Sequence, residues 1–211
     1  MNRNRLREDR AGKRARVKAQ ERAILAGVKL TGDKGNKSWD IDQSMEELES
    51  LCKTTGLEVL EKVLQKRSAP DASYFVGKGK VKEIKDIGNR VGADVVVFNK
   101  ELSPAQSRNL EEEIKLKIVD RNQLIMDIFA QRAQTKEAKL QVELAQLEYL
   151  LPRLRGWGEA LERLGGGIGT RGPGETRLER DRQKILRRIE SIKGKLEEAS
   201  KEWEVKRKRR K

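Results

Sequence analysis

From Arg121 to Leu151 the chain contains neither glycine nor proline, and within and just beyond that run Leu140, Leu144, Leu147, Leu151 and Leu154 recur at steps of four and three. That spacing sets one apolar stripe along a helix and demands a partner helix to cover it. A second seam answers it. Leu178, Ile185, Ile189, Ile192, Leu196, Ala199 and Trp203 keep the same stepping, with Asp181 or Arg182 as a single polar interruption. Two seams of matching period joined by a connector predict an antiparallel helical hairpin, a coiled coil. A first helix of about 34 residues starting near Asp120 would measure about 50 Å at the usual rise.

The connector, residues 156–176, is unlike an ordinary helix-to-helix turn, which uses two to eight or so residues. It holds Gly165, Gly166, Gly167, Gly169, Gly172 and Gly174 with Arg163, Arg171 and Arg177 set among or beside them. Bare backbone amides beside forked guanidinium donors suit phosphate or planar oxygen acceptors. Trp157 offers a ring on which an unpaired base could stack; covering the end of the hairpin is the alternative role. The literal G-x-G-x-x-G at Gly167–Gly172 lies between helices, not between a strand and a helix, so it does not read as a dinucleotide fingerprint.

Upstream, short apolar runs alternate with amphipathic stretches. Strands are predicted at Ala23–Leu30, Leu57–Gln65, Val95–Phe98 and Lys117–Asp120. The run Val95-Val96-Val97-Phe98 has the uninterrupted character of a strand buried on both faces. Helices are predicted from Met45, with Ser44 and Glu47 as a capping box, to Thr55; over Val81–Val91, closed by Gly92; and from Pro104, with Ser103 and Gln106 as cap and partner. The fold class is therefore α/β, a four-stranded mainly parallel sheet with flanking helices and right-handed crossovers, followed by the long hairpin. The boundaries are a basic arm at 1–22, an α/β subdomain at 23–120, the hairpin at 121–203 and a basic tail at 204–211. The arm carries nine Lys or Arg against three acids and cannot bury a core of its own.

With 48 Lys and Arg against 34 Asp and Glu, the formal net charge is +14, which favours a polyanionic partner, nucleic acid first. The chain has no histidine and one cysteine, which removes histidine catalysis and the usual zinc sites. Cys52 lies on the apolar side of its helix and reads as a buried hydrophobe. Asp127, Glu137, Glu143 and Glu148 lie along a heptad helix, where carboxylates generally pair with Lys and Arg. No G-x-x-x-x-G-K-[ST] occurs; Gly77-Lys78-Gly79-Lys80 is too short, and Asn99-Lys100 lacks the aspartate of a guanine-reading element. No membrane span or signal segment is legible, so a cytoplasmic, monomeric protein is expected.

YFVGKGKVKEI (Tyr74–Ile84), ELSPAQSRNLE (Glu101–Glu111), the run from Val119 to Leu154 and GGGIGTRGPGETRLERDR (Gly165–Arg182) resemble the N-terminal region of the HflX family of ribosome-associated GTPases. The resemblance covers about Ala23 to Leu196, and its motifs are long and ungapped. It implies an α/β subdomain followed by a helical hairpin. It also implies a large-subunit binder, linked to splitting or rescuing stalled ribosomes, whose hairpin loop approaches the peptidyl-transferase centre. Glu162 and Arg177 stand where the family more often has serine and glutamine. The candidate contacts to ribosomal RNA are Arg153, Arg155, Arg163, Gly165, Gly166, Gly167, Gly169, Thr170, Arg171, Gly172 and Arg177. The family's GTPase domain follows this region, so GTP and magnesium are expected only there, and no cofactor, metal ligand or catalytic residue is assigned to this chain. A nucleotide-binding enzyme using the α/β subdomain and a coiled-coil adaptor are the competing readings.

Overall fold

The structure is a computed structural model, and it describes residues 20–31, 41–165 and 173–208. Four strands, β1 (Arg22–Leu30), β2 (Glu58–Arg67), β3 (Val95–Phe98) and β4 (Lys117–Asp120), form one parallel sheet in the order β2-β1-β3-β4. Between them run α1 (Ile41–Thr55), α2 (Lys78–Val91) and α3 (Pro104–Ile114), and α4 (Arg121–Arg132), α5 (Lys136–Gly165) and α6 (Pro173–Lys208) follow.

The sheet's two faces are divided by the alternation of strand side chains. Ile24, Ala26, Val96, Phe98 and Ile118 join Val81, Ile84, Leu110 and Ile114 of α2 and α3 in one core. Ala23, Leu25, Val95, Val97 and Val119 join Met45, Leu48 and Cys52 of α1 and Leu124 of α4 in the other. Both faces being covered, β3 is buried along its whole length, as its unbroken β-branched run requires.

The caps explain where several helices start and stop. Ser103 accepts from Gln106 N while the Gln106 side chain accepts from Ser103 N, a complete capping box ahead of Pro104. Gly92 closes α2 in the left-handed region at φ 65°, where its lack of a Cβ removes the steric cost. At Ser44 the expectation fails. Helix α1 already begins at Ile41, Ser44 is a buried residue within it, and Glu47 binds the Arg121 guanidinium instead of closing a cap.

The predicted single helix from Asp120 is also corrected. Ala133 is extended, and Thr135 accepts from Ala138 N at 3.0 Å, so α4 ends and a newly capped α5 begins without any glycine or proline. Conversely α5 runs through Pro152 to Gly165 and α6 starts at Pro173, so helix occupies much of the stretch read as a loop.

Cys52 is fully buried, and burial, aided by the nearby Glu49 charge, pushes its thiol up to about 12. Native protein should therefore fail to react with an aromatic disulfide reagent, while the denatured chain releases one equivalent of the thiolate chromophore. Equal release without denaturant would place Cys52 at the surface.

Candidate nucleic-acid interface and its anchor

In sequence, the candidate contacts run from α5 to its described end and on to the start of α6. Arg155, Arg163 and Gly165 belong to α5 and Arg177 to α6 by backbone; their side chains, with that of Trp157, lie outside what the structure describes. Gly166, Gly167, Gly169, Thr170, Arg171 and Gly172 lie outside the described residues altogether. What is described is the support on either side.

Helices α5 and α6 pack together. Arg188 of α6 donates to both carboxylate oxygens of Glu143 on α5 at 2.6 and 2.8 Å, and Lys193 meets Glu148 at 2.8 Å. The forked pair holds the Glu143 carboxyl below the usual carboxylate range, chiefly by hydrogen bonding. Ile189 and Ile192 are buried while Leu186 faces outward, and the polar seam position is filled by Arg182, partly covered and bonded toward Glu179. Glu143 and Glu148 thus pair with cations, as carboxylates on a helix of this kind generally do.

Arg153 is placed differently from the other arginines. Its side chain is only 14% exposed and turns inward. It donates to the Leu102 carbonyl at 2.8 Å, to the Tyr149 carbonyl at 2.9 Å and to the Asp120 carboxylate at 3.3 Å, with its guanidinium carbon 3.3 Å from the centre of the Tyr149 ring. The Tyr149 hydroxyl donates to the same Asp120 oxygen at 2.7 Å, and burial followed by that bond pushes its acidity far below normal. Asp120, 1% exposed, also accepts from Leu102 N at 3.1 Å and caps α4 by accepting from Gln123 N at 3.0 Å. One carboxylate therefore ties the end of β4, the start of α4, the approach to α3 and the middle of α5. Sequence reasoning placed a helix start near Asp120 and missed Tyr149. The available signal was a tyrosine and an arginine four residues apart on a helix otherwise lined by leucines.

Beside this anchor lies a groove of about 460 Å³ between α3, α4 and α5, with Met126, Leu150 and Leu154 among its apolar lining. Glu111 and Asp127 line it too, and burial raises both carboxyls above their ordinary range. Among the described residues no group of His, Cys, Asp and Glu is arranged to hold a metal, and no helix is long and apolar enough to cross a membrane. Gly77-Lys78-Gly79-Lys80 opens α2, where Lys80 pairs with Glu83. At the carboxyl end of β3, Asn99 is 1% exposed, and neither atom of its side-chain amide has a partner among the described residues.

A parallel α/β unit joined to a pair of long helices recurs in GTP-binding proteins of known structure. Residues 42–130 match the family described as GTP-binding GTPase N-terminal and residues 132–210 the one described as GTP-binding GTPase Middle Region. Among solved structures, a complex of SsGBP with GDP aligns at TM-score 0.63 and 22% identity over 88% of this chain and 46% of that one. A GTP-binding protein from Sulfolobus solfataricus with GDP aligns at 0.52 and 24%, covering 82% and 46%. At these identities the likeness is one of fold.

The curated relatives include the GTPase HflX of Alkalihalophilus pseudofirmus, 51% identical over 177 residues, 84% of this chain and 41% of that protein. The GTPase HflX of Escherichia coli is 48% identical over 190 residues, 90% of this chain and 43% of that protein. The chain belongs to the HflX family and corresponds to its N-terminal region, spanning about two fifths of the length of these relatives.

Proposed function

We propose that this chain is the ribosome-binding part of an HflX-type GTPase, acting on the large subunit in splitting, rescue or biogenesis. In this reading α5 and α6 form an antiparallel coiled-coil hairpin that carries the glycine and arginine segment to ribosomal RNA near the peptidyl-transferase centre. GTP and magnesium belong to a separate GTPase domain, and the protein works as a cytoplasmic monomer.

The observation that carries the reading is the placement of the two helix ends. Helix α5 is described to Gly165 and α6 from Pro173, so in sequence the two paired helices flank residues 166–172, GGIGTRG. A net charge of +14 supplies the long-range attraction to RNA.

Sedimentation with large ribosomal subunits tests it. Changing Arg163, Arg171 and Arg177 together to alanine should weaken binding by at least about tenfold and reduce the slope of log affinity against log salt by about two, since each lost phosphate contact removes counterion release. Parent-like binding by the triple variant removes these residues from the interface.

Asn99 favours a second reading, in which the α/β unit itself binds a nucleotide. β1 has β2 on one side and β3 on the other, and ligands in such sheets enter at this reversal of strand order, outside the carboxyl ends of the strands. An unpaired buried amide there is a group awaiting a partner. Calorimetry of this chain with ATP and with GTP decides the point, and saturable heat with either nucleotide would favour the second reading.

A further inference from the structure

Pro152 lies inside α5, where it lacks the amide proton that would bond to the Glu148 carbonyl. A helix bends most readily at such a place. The Asp120 anchor grips α5 on both sides of it, at Tyr149 before and Arg153 after. Arg153 spans the weak point as well, donating to the Tyr149 carbonyl from one terminal nitrogen and to the Leu102 carbonyl from the other.

We infer that Asp120, Tyr149 and Arg153 are positioning residues, a latch that sets the angle of α5 at Pro152 against the sheet and so aims its far end. The inference rests on the proposed RNA contact for its purpose, though not for its geometry. The physical need is leverage. From Arg153 to Gly165 the helix extends about 18 Å at the usual rise, so a tilt of about 10° at the proline displaces its end by about 3 Å. That is comparable to the length of a hydrogen bond, enough to take donors off their acceptors. A buried carboxylate is well suited to the task because its acceptor sites face donors from several elements at once, and releasing any one leaves a buried group unpaired. The same geometry removes Arg153 from the RNA-facing set and gives it work inside the protein.

The test uses two variants that alter no proposed RNA contact. Tyr149→Phe deletes one donor, and Asp120→Asn retains the α4 cap while removing the charge. Spin labels at Lys82→Cys on α2 and Gln183→Cys on α6 report the angle between the sheet unit and the helix pair, with buried Cys52 left in place. The parent should give a narrow distance distribution. Each variant that keeps the parent's circular dichroism should broaden it by about twofold and bind large subunits about tenfold more weakly. A parent-like width in a folded variant overturns the latch. Broadened distances with undiminished subunit binding overturn its positioning role. If the parent itself fails to bind subunits, the RNA reading and the positioning role fall together, and the distance widths still decide whether the latch exists.

Discussion

Asp120→Ala is expected to lower the unfolding free energy by about 4 kcal/mol, from the usual cost of breaking a buried ion pair and the added cost of a lost helix cap. The size follows from what is left behind. Arg153 would retain one backbone carbonyl on α5 and another at Leu102 but lose its counter-charge, while the Tyr149 hydroxyl, Leu102 N and Gln123 N would each lose an acceptor. Equilibrium unfolding in urea measures the change. Asp120→Asn should cost distinctly less, because asparagine caps a helix nearly as well and accepts one bond from Tyr149 or Leu102. An asparagine variant as stable as the parent would mean that the carboxylate acts only as a cap and that its charged link to α5 contributes nothing.

The second large effect is expected on α6. Ile192→Ala should destabilise by about 3 kcal/mol, in the range found for emptying a buried aliphatic site, while Leu186→Ala should stay within about 0.5 kcal/mol. Ile192 is fully buried and Leu186 is 37% exposed, although both are large aliphatics on one helix separated by six positions. Urea unfolding of the two variants beside the parent makes the comparison. Equal costs would mean that α6 packs through a broader face than its isoleucines define.

Under the proposed function, Arg163, Arg171 and Arg177 make a useful pair of perturbations with the latch residues, because the two sets would act through different physics. The arginines contribute charge, so their loss should shrink as salt rises. The latch contributes geometry, so its loss should persist at every salt concentration at which binding is measurable.

Much of the fold was legible from local rules. Val95–Phe98 could be read as a doubly covered strand because four consecutive apolar side chains leave no face for water. Ser103, Pro104 and Gln106 specify a helix start through contacts confined to four residues, and Asp120 with Gln123 does the same for α4. Ser44 failed as a cap because the burial of Ile41 against the sheet carries α1 one turn further back than its side-chain chemistry suggests. The corner between α4 and α5 was hidden for the opposite reason. Thr135 is as able to sit inside a helix as to cap one, and only the packing of α4 on the sheet and of α5 beyond it selects the cap.

By itself, the sequence determined the four strands with the three helices between them, the burial of Cys52, the basic balance and the family, since each depends on neighbouring residues, on summed charge or on long ungapped motifs. Tertiary structure alone decided the strand order, the inward turn of Arg153, its partnership with Tyr149 and Asp120, and the stranded amide of Asn99. Those features join residues up to 51 positions apart or depend on what has closed over them. An arginine carries the same charge in either setting, and only the arrival of a distant carboxylate and carbonyl turns this one inward as a rivet.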